Sequence, residues 1–402
     1  MHATHRYARF CGIDVAKNKH VCCIIDPDGH RLVRSESVLN VAAGYQQLLT
    51  RLARHGGPAK LLVGMEATGH YWYSLHDFLT RHGYRVAVLN PIQTAQQAKK
   101  GIRKAKTDTI DAYHIAMLLK NGEYRPALVP GELAMTCRQL TRLRYSLVRQ
   151  TSRIKQLLWS RLQPAWPEYE GLFAQPFGAT GRKLLATAPT PTDLLALPAD
   201  SLAEMIAKAS RRQFGADKVA DIRAAAEHSV GIHRGLDGIR IGIRSLLDQL
   251  DALRPIRKDL EGEILALAGQ LPGYVLSLPG ASPIAAVSLF GETDPIQTFA
   301  NSSQLVAFAG LDLVVYQTGE YNAPRRHISK RGSPVLRHTL WSMAHGATRR
   351  EGDLQAYFLR RRAAGLPYRS AVTACAIKLC HIVWRILTDQ RPYDPAGRPA
   401  HS

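Results

Sequence analysis

The chain has 402 residues, which is enough for two or three domains that each bury a core. Lysine and arginine number 53 against 32 aspartate and glutamate residues, and the resulting net charge of +21 favours a polyanionic partner such as nucleic acid. A basic membrane-surface protein would need an amphipathic anchor or a long apolar span. The sequence shows neither, so we expect no membrane partner.

The first residues and the cysteines indicate a reducing compartment. Residues 1–7 lack the apolar stretch of a signal peptide. The six cysteines form no C-x-x-C pair, and several lie in apolar runs, as small core residues do. We therefore predict a cytoplasmic protein, nucleoid-associated if it binds DNA.

The region from residue 9 to about residue 120 alternates strands and helices, with a hairpin turn at residues 26–29. In chain order the sequence predicts strands at 10–15, 21–25 and 32–38, a helix at 41–53, a strand at 61–66, a helix at 71–81, a strand at 84–89, and helices at 92–100 and 107–119. Three antiparallel strands followed by alternating helix and strand is the order of a ribonuclease H or RuvC nuclease core. We therefore predict that α/β fold here.

Two acidic residues belong to these predicted strands. Asp14 falls within the apolar run of the first strand, and Glu66 ends the strand at 61–66. A carboxylate in a buried strand is costly unless it is paired or binds a metal ion. Both residues are therefore candidates for a site.

Asp108 and Asp111 are three residues apart at the start of a predicted helix, so their carboxylates share one side of it. Thr107 would cap that helix, whose positive end tolerates anions. An isolated D-x-x-D is more often a capped, solvated first turn. Together with Asp14 and Glu66, however, the pair makes an oxygen cage suited to two Mg²⁺ ions and phosphodiester chemistry.

The middle of the chain is predicted to be helical. A long basic helix covers 132–161, short helices occupy a Pro-, Gly- and Ala-rich stretch at 164–215, and a second long helix covers 236–271. Pro255 is expected to kink or break the second helix. The two long helices predict an antiparallel hairpin or coiled coil, and an ordinary helical bundle fits their short heptads about as well.

The C-terminal region carries two candidate nucleic-acid contacts. The turn at 278–280 resembles a helix-hairpin-helix, in which the N–H of Gly280 would meet a DNA phosphate. The basic segment at 324–333 either is a solvated loop or, as its five cations favour, contacts phosphates. The cations that would make these contacts are Arg325, Arg326, Lys330 and Arg331. Helices at 335–347 and 370–387 should close this region.

Several short motifs follow one another in a specific order and spacing. They are Gly12-Ile13-Asp14-Val15-Ala16-Lys17, Glu66-Ala67-Thr68-Gly69, Asn90-Pro91, Lys106-Thr107-Asp108-Thr109-Ile110-Asp111-Ala112, Leu278-Pro279-Gly280, Phe299, Phe308-Ala309-Gly310-Leu311, Ile328-Ser329-Lys330-Arg331-Gly332 and Leu336-Arg337. Together they resemble the DEDD transposases of the IS110 class of bacterial insertion sequences, which include pilin-gene invertases. The resemblance runs over residues 9–395 and is weakest at 164–238.

That resemblance implies a domain plan and a chemistry. The plan is a RuvC-like DEDD domain at 1–130, a helical or coiled-coil region at 131–271, a mainly helical transposase domain with nucleophile and basic loop at 272–395, and a tail at 396–402. In the chemistry, the four acids bind Mg²⁺ while a C-terminal serine attacks DNA and forms a covalent intermediate. The implied partners are donor and target DNA, a bridge RNA, and further copies in a homodimer or homotetramer, in a bacterium.

The position that matches the family's nucleophilic serine is Thr318. Threonine keeps a hydroxyl, but its extra methyl restricts χ1 and crowds the approach to phosphorus. Thr318 is therefore either the nucleophile of this protein or the mark of an inactivated copy, and Ser329 and Ser333 are nearby hydroxyls outside the matching place. Lys17 and Arg337 complete the predicted nucleic-acid contacts.

Three functions fit these residues. The first is a recombinase that exchanges DNA strands through a Thr318 phosphoester beside the four acids. The second is a RuvC or ribonuclease H type nuclease, in which metal-activated water attacks and no covalent intermediate forms. The third is an inactive relative that only binds nucleic acid.

Overall fold

The computed structural model describes residues 7–67, 69–89, 108–124, 126–313, 317–318, 321–322 and 327–394, with only the backbone of residues 108–109, 317–318 and 321–322. The chain divides into two compact units, Met1–Pro130 and Gly131–Ser402. Some predicted features lie outside the described residues: the helix at 92–100, Asn90-Pro91, Thr107, Arg325, Arg326 and the tail at 396–402.

The first unit is built on a five-stranded sheet in the order β3-β2-β1-β4-β5. Its strands are β1 (Arg9–Asp14), β2 (Lys19–Ile25), β3 (Arg31–Leu39), β4 (Leu61–Glu66) and β5 (Arg85–Leu89). The first three pair antiparallel, whereas β1, β4 and β5 run parallel. The predicted succession of three antiparallel strands and then alternating helix and strand is confirmed.

Helices lie on both faces of this sheet, which is why β1 and β4 are continuous apolar runs and do not alternate. These helices are α1 (Ala42–Arg54), α2 (Gly57–Lys60), α3 (Trp72–Arg81) and α4 (Asp108–Asn121). One hydrophobic core packs β1 and β4 against α1 and α3. A second core packs the opposite face of the same strands against α4.

The second unit is mainly helical. Its helices are α5 (Glu132–Ala165), α6 (Ala179–Thr187), α7 (Pro191–Leu195), α8 (Ala199–Ala209), α9 (Ala216–Glu227), α10 (Leu236–Ala268), α11 (Gly273–Leu276), α12 (Pro283–Thr293), α13 (Ser302–Ala309), α14 (Pro334–Ala347), α15 (Asp353–Ala363) and α16 (Tyr368–Asp389). A two-residue hairpin pairs β6 (Gln317–Thr318) with β7 (Tyr321–Asn322).

The long helices α5 and α10 pack against each other. Of the predicted kink or break at Pro255, the break is wrong, because α10 is continuous and contains this residue. A kink at Pro255 stays a prediction. Buried residues on both sides of it, such as Leu250 and Ile264, hold the helix against its neighbours. That packing compensates for the hydrogen bond that proline cannot donate. Whether α5 and α10 form a coiled coil stays a prediction.

The second unit has two hydrophobic cores. In one, α6 to α9 pack on the second half of α5 and the first half of α10, around residues such as Leu158 and Leu247. In the other, α12 to α16 pack on the opposite ends of the same long helices, through Cys137 and Ile264. The two long helices therefore take part in both cores, and the predicted boundary after residue 271 stays a prediction.

Helix α16 is long and apolar enough to cross a membrane by length and composition, although the sequence analysis expects no such span. Half of its most apolar 18-residue window is buried inside the protein. Residues such as Val372, Leu379 and Val383 belong to the core shared with α14 and α15. A core helix of this length meets the same criterion, so the feature is weak support for a membrane segment.

Candidate active site

Asp14 and Glu66 lie at the same end of two neighbouring strands. Parallel pairing joins Ile13 of β1 to Met65 of β4, and each acid is the next residue of its strand. Both acids are partly buried. Because the carboxyl ends of parallel strands meet at one edge of a sheet, the register places the two acids side by side.

Helix α4 covers the face of the sheet that carries both acids. Side chains alternate along a strand, so Gly12 shares a face with Asp14, and Gly64 shares it with Glu66. A Cβ atom on Gly12 would lie 2.0 Å from the carbonyl oxygen of Ala112, and one on Gly64 would lie 2.8 Å from a side-chain carbon of α4. The two glycines therefore allow α4 to lie directly on the strands.

The first turn of α4 supplies the other two acids. The helix begins at Asp108, and Asp111 directly precedes the Ala112 carbonyl that lies against Gly12. Asp111 is partly buried. The structure therefore brings Asp14, Glu66 and the helical turn of Asp108 and Asp111 to one region of the first unit.

His114 lies one turn after Asp111, and the sequence analysis did not single it out. Burial lowers its pKa, the carboxylate of Asp111 opposes that shift, and the guanidinium of Arg31 adds to it. Its Nδ1 atom is buried and has no hydrogen-bond partner in the part of the chain that the structure describes. Burial therefore disfavours the charged form of the imidazole beside Asp111.

The donor set fits a divalent metal ion. All four predicted ligands are carboxylates, and oxygen is the donor that Mg²⁺ prefers. Carboxylates gathered in one place repel each other unless a cation lies between them. Asp14, Glu66, Asp108 and Asp111 are the residues that would hold it.

Another group of potential metal ligands, Asp26, Asp28 and His30, lies in the turn between β2 and β3. Oδ1 of Asp26 accepts hydrogen bonds from the N–H groups of Asp28 at 3.0 Å and His30 at 2.9 Å. Aspartate side chains commonly stabilise turns in this way. The hydrogen bonds of Asp26 stabilise the hairpin turn, so we assign this group a structural role in the turn.

Lys17 is exposed in the turn between β1 and β2, and a network of polar side chains holds that turn. Nδ2 of Asn40 donates to the carbonyl of Lys17 at 2.9 Å, and the hydroxyl of Tyr45 donates to Oδ1 of Asn40. The N–H of Ala16 donates to Nδ1 of the fully buried His20 at 3.3 Å. Burial lowers the pKa of His20, and the hydrogen bond to Asn40 opposes this shift.

In the second unit, Thr318 belongs to a loop whose two ends are joined. Leu313 and Ile328 form an isolated β-bridge. Beside it, the N–H of Ser329 donates to the carbonyl of Asp312 at 2.8 Å, and the Ser329 hydroxyl donates to the Asp312 carboxylate. These four residues close the base of the Thr318 loop, and we call them the loop-base clasp.

Two glycines allow the segments next to the loop-base clasp to approach closely. A Cβ atom on Gly332 would lie 1.9 Å from the carbonyl oxygen of Phe308. Gly310, with φ +65°, would place a Cβ atom 2.6 Å from Nη1 of Arg337. That nitrogen donates to the carbonyl of Ala309 at 2.9 Å. Arg337 therefore stabilises the end of α13, and its predicted phosphate contact stays a prediction.

Ser333 is the N-cap of α14. Its hydroxyl accepts the N–H of Leu336 at 3.1 Å and donates to the carboxylate of Glu292 at 2.8 Å. Glu292 is 2% exposed and is paired at 2.6 Å with Arg142 from α5. A buried carboxylate requires such partners. This pair was not predicted from the sequence, although an acid in the apolar run of α12 was a signal of the same kind as Asp14.

Gly280, Lys330 and Arg331 are the other predicted nucleic-acid contacts that the structure describes. Gly280 has φ +73°, and a Cβ atom on it would lie 2.1 Å from the carbonyl oxygen of Met343 in α14, so packing alone requires a glycine here. Lys330 and Arg331 are exposed beside the loop-base clasp. Their contacts with phosphate stay predictions.

Models of transposase families match both units of the chain. A DEDD transposase model of the IS110 group, described as "Transposase", matches residues 11–167. A second model, described as "Transposase IS116/IS110/IS902 family", matches residues 273–359. Together the two matches include every predicted acid, Thr318 and the loop-base clasp.

Curated proteins of insertion elements are similar over most or part of the chain. The 44.8 kDa protein of insertion element IS116 from Streptomyces clavuligerus is 26% identical over 396 residues, covering 96% of each chain. The pilin gene-inverting protein of Moraxella bovis is 34% identical over 109 residues, covering 27% of this chain and 33% of that protein. The transposase for insertion sequence element IS1111A of Coxiella burnetii is 29% identical over 164 residues, covering 37% of this chain and 41% of that protein.

Proposed function

The chain belongs to the IS110 family of transposases, and from this premise we propose that it cleaves and exchanges DNA strands through a covalent protein–DNA intermediate. The observation that carries the proposal lies in the first unit. Asp14 and Glu66 are at adjacent strand ends beneath the helix that begins at Asp108 and contains Asp111. Acids in this arrangement are suited to hold divalent ions at a phosphodiester.

The topology of the first unit supports a RuvC or ribonuclease H type of domain. Its antiparallel β1, β2 and β3 continue through parallel β4 and β5 in one sheet, with β1 at the centre. The acids lie on the central strand, on its parallel neighbour and on the helix that covers them. This strand order supports our proposal that the first unit has a ribonuclease H-like fold.

Bound Mg²⁺ would supply positive charge where negative charge develops on the phosphate oxygens. The role of the protein is to hold the carboxylates that would bind the ion. Strand register orients Asp14 and Glu66, and the close packing of α4 on Gly12 places the turn of Asp108 and Asp111 beside them.

Thr318 is the proposed nucleophile. Its hydroxyl oxygen loses its proton and forms a bond to phosphorus while the bond from that phosphorus to one sugar oxygen breaks, and the departing sugar oxygen takes up one proton in exchange, so the proton count is unchanged. A sugar hydroxyl of the second strand then attacks the same phosphorus and releases Thr318. The number of phosphoester bonds is conserved, so no external energy source is needed. Closure of the loop by the loop-base clasp supports this role.

The proposed partners follow from the same function. They are donor and target DNA, a bridge RNA, and further copies of the chain in a homodimer or homotetramer, in the cytoplasm and on the nucleoid. The phosphate contacts we propose are Lys17, Gly280, Arg325, Arg326, Lys330, Arg331 and Arg337. A run of flexible cations carries little geometric specificity, so these contacts would position DNA without reading its sequence.

A second candidate nucleophile is favoured by one observation. The hydroxyl of Ser329 donates to the carboxylate of Asp312, which would accept its proton during an attack on phosphorus. Ser333 is less suited, because its oxygen already caps α14 and binds Glu292. A metal-dependent nuclease that uses activated water, and an inactive relative that only binds nucleic acid, are the two competing functions.

The test is to incubate the protein with element DNA, the bridge RNA and Mg²⁺, denature the mixture, and look for protein that remains attached to DNA. We expect an adduct with the wild type and none with Thr318→Ala. Hydrolysis without an adduct, unchanged by Thr318→Ala, would favour the nuclease. Binding without strand breakage under any divalent ion would indicate the inactive relative.

A further inference from the structure

Three cationic side chains gather over the ring of Tyr357 in α15, away from the motifs that carry the family resemblance. The guanidinium carbons of Arg360 and Arg361 lie 6.0 Å and 5.0 Å from the ring centroid, and Nζ of Lys378 in α16 lies 4.9 Å from it. Nε of Arg361 also donates to the hydroxyl of Tyr357 at 2.9 Å. We call these four residues the tyrosine–cation cluster.

The tyrosine–cation cluster concentrates like charge. One aromatic ring attracts each cation weakly at an exposed position, whereas three cations around it repel one another. Arg360 and Arg361 are exposed and Lys378 is partly buried, so the group remains open to solvent. An anion placed among the three cations would relieve the repulsion.

The surrounding helices add to this charge. Between Asp353 and Lys378 the sequence has five cations and Asp353 as the single acid. The five cations are Arg360, Arg361, Arg362, Arg369 and Lys378. Arg362 has a structural role, because it donates to the carbonyl of Leu366 at 2.6 Å after the end of α15. Arg369, in the first turn of α16, stands where the helix dipole disfavours a cation.

We propose that the tyrosine–cation cluster binds the phosphate backbone of duplex DNA. The ligand must be anionic and extended, because the cations lie on two helices and the excess charge continues to Arg369 at the start of α16. Three cations lie within 6.0 Å of the ring centroid of Tyr357, so an unpaired base that stacked on this ring would have to displace them. The choice of DNA rests on the proposed function.

This surface is formed by other elements than the basic segment at 324–333. It is formed by α15 and α16, whereas that segment precedes α14. Its contacts would be made to backbone phosphates irrespective of sequence, and would therefore add affinity and orientation. The surface would extend the DNA contact of the second unit onto its C-terminal helices.

The test compares two double variants that remove the same charge. Arg361→Gln/Lys378→Gln neutralises the two cations nearest the ring. The control, Arg81→Gln/Arg385→Gln, removes two exposed arginines that are each paired with an aspartate four residues away. Affinities for a random-sequence DNA duplex and for a single-stranded RNA are measured at several salt concentrations without divalent ions. The melting temperature of each variant verifies that it is folded.

We expect the slope of log affinity against log salt to become shallower by about two units in the cluster variant, since each phosphate contact contributes about 0.9. The control should keep the wild-type slope. Equal slopes in the wild type and the cluster variant would overturn the proposal, as would the same loss in both variants. A loss seen with single-stranded RNA and not with duplex DNA would also overturn it. The binding assay involves no strand cleavage. A negative result would therefore reject the DNA contact of the tyrosine–cation cluster without bearing on the proposed strand exchange. Conversely, an absence of strand exchange would not affect the binding assay.

Discussion

The acids of the first unit and the proposed nucleophile of the second are held in different ways. Asp14 and Glu66 are fixed by strand register, and helix α4 lies on the same strands at Gly12 and Gly64. Thr318 belongs to a short hairpin, and the bonds that close its loop are made at the loop-base clasp. Packing therefore fixes the positions of the acids, whereas a few hydrogen bonds support the loop of the proposed nucleophile. Variants should affect the two regions separately.

The largest effect is expected from the acids. Asp14→Asn should lower recombination more than roughly 100-fold, because even outer partners of metal ligands cost 10- to 100-fold. The matched control is Asp28→Asn, since Asp28 lies in the other acidic group and only in a turn. Recombination and the Mg²⁺-induced rise in melting temperature are measured for both variants. If Asp28→Asn lost both properties and Asp14→Asn kept them, the assignment of the metal site to the four acids would be wrong.

The next largest effect concerns the glycines. Gly12→Ala places a methyl 2.0 Å from the Ala112 carbonyl, and Gly332→Ala places one 1.9 Å from the Phe308 carbonyl. Overpacking of this kind typically costs about 1–3 kcal/mol or more. Gly12→Ala should abolish the Mg²⁺-induced rise in melting temperature. Gly332→Ala should keep that rise and lose the covalent adduct.

Gly171→Ala is the control for both glycine variants, because no atom lies within 4 Å of its Cβ position. It should leave the melting temperature and the adduct nearly unchanged. Loss of the Mg²⁺-induced rise in melting temperature in Gly332→Ala would contradict the expectation that the acids and the Thr318 loop respond separately to substitution.

A smaller effect is expected at the loop-base clasp. Asp312→Asn and Ser329→Ala each weaken a hydrogen bond to a charged group, which is worth about 1.5–3 kcal/mol. If most of that energy orients the loop, adduct formation should slow by about tenfold to 100-fold in single-turnover kinetics. The Mg²⁺ response should not change. Complete loss of the adduct in Ser329→Ala, with Thr318→Ala still active, would identify Ser329 as the nucleophile.

The smallest effect is the pH dependence of His20. Burial lowers its pKa in the folded protein below the ordinary value of 6.5, so the folded state binds fewer protons than the unfolded state. Its contribution to stability is present above pH 6.5 and decreases as the pH falls towards the folded pKa. Denaturant unfolding between pH 8 and pH 5 should show a steeper loss for the wild type than for His20→Gln. If the free energy of unfolding changed equally with pH in both proteins, His20 would make no such contribution to stability.

The sequence predicted the features that depend on local pattern. Apolar runs gave the strands of the first unit, and an acid inside or at the end of such a run identified Asp14 and Glu66. The spacing of motifs led to the family. The pairing of Glu292 with Arg142 was missed because it joins residues that are 150 positions apart. The alternative of a break at Pro255 was wrong because local propensity cannot account for tertiary packing on both sides of a residue.

The most direct test of the central claim is the yield of covalent protein–DNA adduct from four proteins: the wild type, Thr318→Ser, Thr318→Ala and Thr318→Val. A primary alcohol reaches the in-line position on phosphorus more freely than a β-branched one, so the serine variant should match or exceed the wild type. The alanine and valine variants should give no adduct and no recombination. If Thr318→Val formed as much adduct as the wild type, Thr318 would not be the nucleophile and the central claim would be contradicted.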